Sequence, residues 1–211
     1  MLVTTGPTYE KIDPVRFIGN FSSGKMGFSI AEELASQGAQ VVLVSGPTSL
    51  STQNPNIKRI DVVSAQEMYE ASLKAFPTCD GGIMTAAVAD FTPVTTENTK
   101  VKRGKENYTI ELTPTKDIAA SLGAIKTTNQ FLVGFALETN NEETNAKLKL
   151  EKKNLDFIVL NSLNDKGAGF QHDTNKITVI NKSGACKKYE LKSKSEVAKD
   201  IVNELIAYYE E

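Results

Sequence analysis

The sequence predicts an α/β protein on a doubly wound, mostly parallel, Rossmann-like sheet with antiparallel hairpin extensions, and three observations lead there. Apolar runs of strand length recur along the chain, segments with apolar residues at helical spacing separate several of them, and two stretches with hairpin turn chemistry interrupt the alternation.

The strand runs are LVTT (2–5), VVLVS (41–45), RIDVV (59–63), GIMTAAVA (82–89), FLVGFA (131–136) and FIVLN (157–161), most of them bounded by Gly, Pro, Asn or Asp. Between the first two, Met26, Ile30, Leu34 and neighbouring alanines form an apolar stripe over 24–37, with Ser22 or Ser23 placed to cap its start and Gly38 its end. Ser64 and Glu67 have capping-box spacing for a helix reaching about Phe76. Residues 94–113 predict a hairpin that pairs KVKR with YTIEL across a GKEN turn. A charged helix is expected over 147–153, before the sixth strand. Residues 176–192 predict a second hairpin turning at NKSG, and Ser193 with Glu196 cap a C-terminal helix that runs to about Tyr209. This is one domain over 1–211, with ligands expected at the C-terminal ends of the strands.

Composition narrows the function. A chain with 40% hydrophobic and 24% charged residues has ordinary globular make-up. Its formal net charge of -2 gives no long-range pull toward nucleic acid or an anionic membrane, so anionic ligands must meet local clusters of Lys and Arg. Cys79 and Cys186 lie far apart and His172 is the one histidine, which offers neither a soft metal site nor a disulfide framework and suits a reducing, cytosolic setting. No stretch approaches the ~18 to 20 apolar residues of a membrane span. A strand at residues 2–5 begins the chain at once, as in a fragment of a longer protein.

The segment GNFSSGKM (19–26) has the spacing of a phosphate-binding P-loop, but Met26 stands where a Mg²⁺-ligating Ser or Thr belongs. Thirteen residues, PTYEKIDPVRFIG, also separate the first strand from Asn20, whereas a P-loop follows its strand directly. What remains is a Ser-Ser-Gly turn delivering backbone N–H groups at a helix start, either an anion site or a plain cap. A nicotinamide-binding oxidoreductase lacks its G-x-G-x-x-G, its acidic residue after the second strand and any Tyr-x-x-x-Lys. Acyl-enzyme chemistry lacks a G-x-S-x-G elbow, and His172 in GFQHDTN reads as a surface residue.

The blocks GPTYEKIDPVRFIGNFSSGKMGFSIAEE, LVSGP, AAVADFTP, KVKR, PTKDIA, GFALETNN and KKNLDFIVLN, in this order, resemble phosphopantothenoylcysteine synthetases, more closely the bacterial CTP-dependent phosphopantothenate-cysteine ligases. The resemblance runs from Leu2 to the C-terminal helix. It implies a cytoplasmic homodimeric enzyme of coenzyme A synthesis that joins 4′-phosphopantothenate to L-cysteine through an acyl-cytidylate, with CTP as co-substrate and Mg²⁺ as cofactor. In many bacteria this domain follows a flavin-dependent decarboxylase domain. A non-catalytic nucleotide-binding subunit of the same fold is the other alternative to the oxidoreductase.

The resemblance implies that Asn20 serves the acyl step and that Lys100 is the catalytic lysine, carried on a mobile flap over 94–113. Arg16 is either a cation for carboxylate or phosphate or an ion-pair partner of Asp13 or Glu10. Ser22, Ser23 and Gly24 form the anion-binding helix start. Asp90 contacts the nucleotide site and holds Mg²⁺, and the small Ala86, Ala87 and Ala89 admit ligand to the backbone. Lys116, Asp117, Ile118 and Ala119 occupy a nucleotide-contact block in which TKD departs from the family's Asn-Pro-Asp. Phe135 packs on the cytosine or in the core. Lys149 and Lys153, one helical turn apart, face the triphosphate or belong to a solvated helix face.

Overall fold

The structure, a computed structural model, describes residues 1–104, 106–138, 141–162 and 172–210. In chain order the elements are β1 (Leu2–Thr5), β2 (Tyr9–Lys11), β3 (Phe17–Gly19), α1 (Lys25–Ser36), β4 (Val41–Ser45), β5 (Ile57–Asp61) and α2 (Ala65–Ala75). A 3-10 turn at Phe76–Thr78 leads to β6 (Gly81–Met84), β7 (Phe91–Pro93), β8 (Leu112–Pro114), α3 (Ile118–Ile125), β9 (Phe131–Glu138) and α4 (Glu142–Lys152). The chain ends through β10 (Phe157–Ser162), β11 (Thr174–Asn175), β12 (Ile177–Asn181), β13 (Cys186–Lys188), β14 (Lys192–Ser193) and α5 (Lys194–Glu210).

Eight strands form the central sheet in the order β13-β12-β10-β9-β6-β1-β4-β5. The six from β10 to β5 run parallel, whereas β12 and β13 extend the sheet antiparallel. Successive residues point to opposite faces, and each face has its own core. Val3, Leu43, Ile83, Val133 and Val159 meet Phe28, Ile30 and Leu34 of α1 and Val197, Ile201 and Leu205 of α5. Leu2, Val44, Leu132, Ile158 and Ile180 meet Met68, Ile118, Leu122, Ala146 and Leu150 from α2, α3 and α4. Burying each fully enclosed Leu, Ile or Phe contributes about 1.5–3 kcal/mol, so the two covered faces supply the driving force for this layering. The doubly wound fold expected from the sequence is observed, and its order reverses between β1 and β6.

Local signals explain the helix ends. Ser64 accepts from the Glu67 N–H at 3.2 Å while Glu67 accepts from the Ser64 N–H, the reciprocal box expected for α2. The Ser193–Glu196 box opens α5 in the same way. At the end of α1, Gly38 N–H bonds Ala35 O at 3.0 Å and Ala39 N–H bonds Leu34 O at 3.0 Å, a closing motif that stops the helix at the expected glycine. Two expectations are corrected. Neither Ser22 nor Ser23 caps α1; its N-cap is Gly24, with φ of 81° and no side-chain cap bond. The first hairpin also lies farther out than KVKR and YTIEL: β7 pairs with β8, Phe91 opposite Pro114 and Pro93 opposite Leu112, and no strand is assigned among the described residues of 94–111 between them. The second hairpin stands as expected, with β12 and β13 joined through Asn181 and Gly184.

Candidate functional site

Two clefts open at the C-terminal ends of β1, β6 and β9, one on each face of the sheet, and Ala86 and Phe135 line both. They lie at the topological switch point, where an open α/β sheet offers its crevice.

The cleft on the α1 face, about 750 Å³, is lined by Thr5, Ser22, Ser23, Gly24 and the first residues of α1, with Asn161, Asn175 and Lys194 opposite. Its geometry follows from threonines that hold carbonyls. The Thr5 hydroxyl donates to Gly24 O at 2.8 Å and the Thr48 hydroxyl donates to Ser23 O at 2.9 Å. With these carbonyls held, the helix start is fixed, and Lys25, Met26 and Gly27, whose N–H groups have no helical partner one turn earlier, line the cleft. Helix and strand ends can approach because residue 27 is glycine: a Cβ there would lie 2.3 Å from Thr5 Oγ1 and 2.5 Å from Thr85 Oγ1. Lys25 pairs with Asp173, and the Lys25 ammonium holds the Asp173 carboxyl below the usual carboxylate range.

The cleft on the α3–α4 face is larger, about 1030 Å³, and its lining includes Asp90, Lys116, Asp117, Ile118, Ala119, Phe135, Lys149 and Lys153. Sequence elements 63 residues apart, from Asp90 to Lys153, thus converge on one cavity. Asp117 caps α3 by accepting from Ala120 N–H at 3.0 Å and pairs with Lys153 at 3.0 Å. Burial opposes ionisation of Asp117, but the Ala120 N–H and the Lys153 ammonium outweigh it, so its carboxyl titrates below an ordinary aspartate. Lys116 holds its ammonium 4.8 Å from the Tyr69 ring. Phe135 is half-buried against the core and also forms cleft wall, so both readings of it describe part of its surface. Lys149 and Lys153 reach the same cleft, although Lys153 is the C-cap of α4 and not within the helix.

Between the clefts, residues 85–89 were expected to continue the fourth strand, but regular pairing ends at Met84. Side chains and loop atoms take over the hydrogen bonds: Thr8 Oγ1 accepts from Ala89 N–H at 2.9 Å, Thr115 Oγ1 donates to Ala89 O at 2.6 Å, and Ala87 N–H bonds Gly6 O at 2.9 Å. Asn20 donates its side-chain amide to Ala87 O at 2.8 Å, which fixes it over this segment and leaves its second amide N–H available. Ala89 is buried with both backbone groups engaged and lines neither cleft, unlike Ala86 and Ala87.

Asn20, Arg16 and Lys100 all stand outside both linings, although Asn20 is tied to Ala87, which lines the α1-face cleft. Arg16 takes the ion-pair alternative: Asp13 Oδ2 accepts from its Nε at 3.0 Å and from its Nη2, and Nη2 also donates to Val101 O at 2.7 Å. The Arg16 guanidinium is the chief reason that the Asp13 carboxyl lies well below the usual range. Lys100 is exposed on the loop between β7 and β8. His172 is exposed, as read from the sequence. Sequence reasoning missed Thr5, Thr48, Thr115, Asn175 and the buried Lys194; Thr5 was findable as the last residue of the first strand, but the others have no local signature.

Comparison with known proteins places this architecture. Residues 1–209 match the family described as DNA/pantothenate metabolism flavoprotein C-terminal domain. The coenzyme A biosynthesis bifunctional protein CoaBC of Haemophilus influenzae is 47% identical over 208 residues, covering 99% of this chain and 51% of that protein. A relative from an unidentified prokaryote, named Cysteine/Cysteine sulfinic acid decarboxylase, is 57% identical over 206 residues, 98% of this chain and 57% of its own length. The chain thus spans little more than half of these curated relatives. The crystal structure of the C-terminal domain of CoaBC superposes with a TM-score of 0.83 at 42% identity, over 99% of this chain and 94% of that one. The resemblance carried by the motif blocks is borne out at the level of family and fold, and the chain belongs to the DNA/pantothenate metabolism flavoprotein C-terminal domain family.

Proposed function

We propose that this chain is a CTP-dependent phosphopantothenate-cysteine ligase domain of coenzyme A biosynthesis. The observation that carries the reading is the convergence of Asp90, Lys116, Asp117, Ile118, Ala119, Phe135, Lys149 and Lys153 on one cleft that shares a wall with the α1 helix start. The nucleotide base and sugar occupy the α3–α4 cleft, with Phe135 against the cytosine. The phosphate chain crosses Ala86 toward the N–H groups that follow Ser22, Ser23 and Gly24. The 4′-phosphopantothenate carboxylate attacks the α-phosphate and pyrophosphate leaves; the cysteine amine then attacks the acyl carbon and CMP leaves with the amine proton lost to solvent. No enzyme nucleophile is required, which suits a site without His or Cys. Asn20 supplies an N–H to the acyl oxygen as it gains charge, and Lys100 offsets charge on the transferring phosphoryl group.

Asp90 has no ion-pair partner among the described residues, and no group of three or more His, Cys, Asp or Glu gathers among them as a metal cage. One free carboxylate beside a phosphate site suits Mg²⁺, which completes its shell with phosphate oxygens and water. Bound there, the ion would neutralise triphosphate charge.

Incubation with 4′-phosphopantothenate, cysteine, Mg²⁺ and either CTP or ATP tests the reading. CMP and pyrophosphate are expected with CTP; no nucleotide turnover, or NAD(P)H binding in its place, overturns it. Asn20→Asp should still release pyrophosphate but lose about 10²- to 10³-fold in amide formation. Equal losses in both half-reactions would remove the role given to Asn20.

The name of the 57% identical relative does not move the proposal, because this chain covers little more than half of that protein, whereas it superposes over 99% of its length on the C-terminal domain of CoaBC solved by itself. The longer relatives, one of them named a bifunctional protein and covered to 51%, support a further domain in the native protein, which we propose is the N-terminal flavin-dependent decarboxylase domain that the resemblance implies, with the whole in the cytoplasm. No helix among the described residues is long and apolar enough to cross a membrane. A homodimer is proposed through the small sheets β2–β3 and β7–β8, where Phe17, Phe91 and Leu112 are exposed by 49%, 50% and 42%.

A further inference from the structure

The loop between β7 and β8 carries Lys100, yet among its described residues it holds no strand or helix that could fix a side chain in place. Its fixed points come from the turn between β2 and β3. Thr96 donates its hydroxyl to Lys11 O at 3.2 Å and Glu97 N–H bonds Ile12 O at 2.9 Å. One residue past Lys100, both backbone groups of Val101 are engaged: its N–H donates to Asp13 Oδ2 at 3.1 Å and its carbonyl accepts from Arg16 Nη2 at 2.7 Å. Asp13 has a side chain with no exposed surface. Its Oδ1 holds the turn by accepting from Val15 N–H at 2.8 Å and Arg16 N–H at 2.9 Å, and its Oδ2 accepts from Arg16 Nε, Arg16 Nη2 and Val101 N–H. One carboxylate therefore uses one oxygen to shape its own turn and the other to clasp a loop 88 residues away.

We propose that Asp13 is a positioning residue that, with Arg16, latches Val101 and so fixes where the neighbouring Lys100 enters the site. The proposal rests on the reading of Lys100 given above. The turn is in turn anchored to the body: Glu10, 3% exposed, accepts from Ala65 N–H at the start of α2 at 2.8 Å, and Tyr9 N–H bonds Val63 O at 2.8 Å. The small β2–β3 sheet thus forms a rigid bracket between α2 and the Lys100 loop.

The division of labour between the two oxygens selects the test. Asp13→Asn can keep one acceptor for the turn but places an NH₂ against three donors, which breaks the clasp. In the native protein, amide hydrogen exchange at Val101 should be slower by about 10-fold or more than at 102–104, and the variant should erase this protection. Exchange at Val101 as fast as at its neighbours in the native protein overturns the latch without any variant. In the CTP assay Asp13→Asn should lower kcat for pyrophosphate release about 10- to 100-fold, as a misplaced catalytic group does. In a Lys100→Ala background the same change should cost less than about 2-fold, because the residue it positions is gone. An undiminished effect there makes Asp13 merely structural and overturns the proposal. Native activity in Lys100→Ala refutes the role of Lys100 and with it the positioning role, while the exchange data still decide whether the clasp exists.

Discussion

At the N-terminal edge of the parallel sheet, Asp156 is enclosed by Lys126 at 2.6 Å, Lys182 at 2.7 Å, the Leu132 N–H at 2.6 Å and the Tyr208 hydroxyl at 3.1 Å. At the C-terminal edge, the same residue types line an open cleft: Asp90 without an ionic partner among the described residues, Lys116 over a ring, and Asp117 and Lys153 in a half-exposed pair. Asp156 and Lys126 side chains are 5% and 6% exposed, against 46% and 24% for Asp117 and Lys153. A charge can be buried when its partners come from the chain itself, and the lower edge meets that condition. The upper edge leaves its charges partly solvated, which keeps them available to a ligand that brings charge of its own.

The contrast breaks first at Asp156. Asp156→Ala leaves the sealed Lys126 ammonium and the Leu132 N–H without their acceptor and should cost about 3–5 kcal/mol in urea unfolding, while Asp90→Asn should stay within about 0.5 kcal/mol. A loss below about 1 kcal/mol at Asp156 would erase the distinction between the edges. Burial acts against the Asp156 charge, yet its two lysines and the Leu132 N–H hold its carboxyl below the ordinary 3.8. A carboxyl lowered on folding stabilises above its unfolded value, and that stability is lost as pH falls through the folded value. Acid unfolding below about pH 4 should therefore be steeper in the native protein than in Asp156→Asn.

The next largest effect tests how tightly the upper edge is built. Gly27→Ala forces a Cβ within 2.5 Å of Thr5 and Thr85, whose hydroxyls are themselves engaged to Gly24 O and Thr4 O, so α1 must lift. Overpacking of this kind costs about 1–3 kcal/mol. Thermal melting with a phosphate-binding titration would check both parts, since the displaced helix start should also bind the nucleotide more weakly. An unchanged melting temperature would show that the crossing is looser than the geometry requires.

What the sequence made legible follows the same divide between local and distant causes. Strands buried on both faces read as nearly continuous apolar runs, so β1, β4, β9 and β10 were visible within a residue or two. The Ser64–Glu67 and Ser193–Glu196 boxes were visible because each partner lies three residues from the other. The alternation in KVKR and YTIEL suggested a pairing, but the real one joins FTP to LTP, two three-residue segments that each end in Pro and are too short to show a period. The loop that joins these strands is held by the β2–β3 turn through Thr96, Glu97 and Val101, contacts that local pattern does not encode. The strand over 82–89 was overextended because an apolar run does not reveal that Thr8 and Thr115 replace its ladder bonds. In the site, Asp90, Lys116, Asp117, Lys149 and Lys153 were chosen by motif and the structure brings them together, whereas Asn20, Arg16 and Lys100 were chosen in the same way and lie outside both cleft linings. A family motif names residues without saying which of them line the cleft.

A small effect on stability is also expected at the pair that most resembles the lower cluster. Asp117 and Lys153 make an ion pair of ordinary length, and Asp117 also caps α3. Both ends are wet, so Coulomb attraction is screened, the unpaired partner regains water, and the cap survives when only the lysine is changed. Lys153→Met should therefore shift stability by less than about 1 kcal/mol, far below the cost at Asp156. It should nevertheless weaken CTP binding, because a nucleotide in this cleft would meet Asp117 without its neutralising cation, and the loss should shrink at high salt. Melting curves beside a CTP titration at two ionic strengths separate the terms. A large stability loss with unchanged CTP affinity would mean that the upper edge also uses its charges to hold the fold together, as the lower edge does.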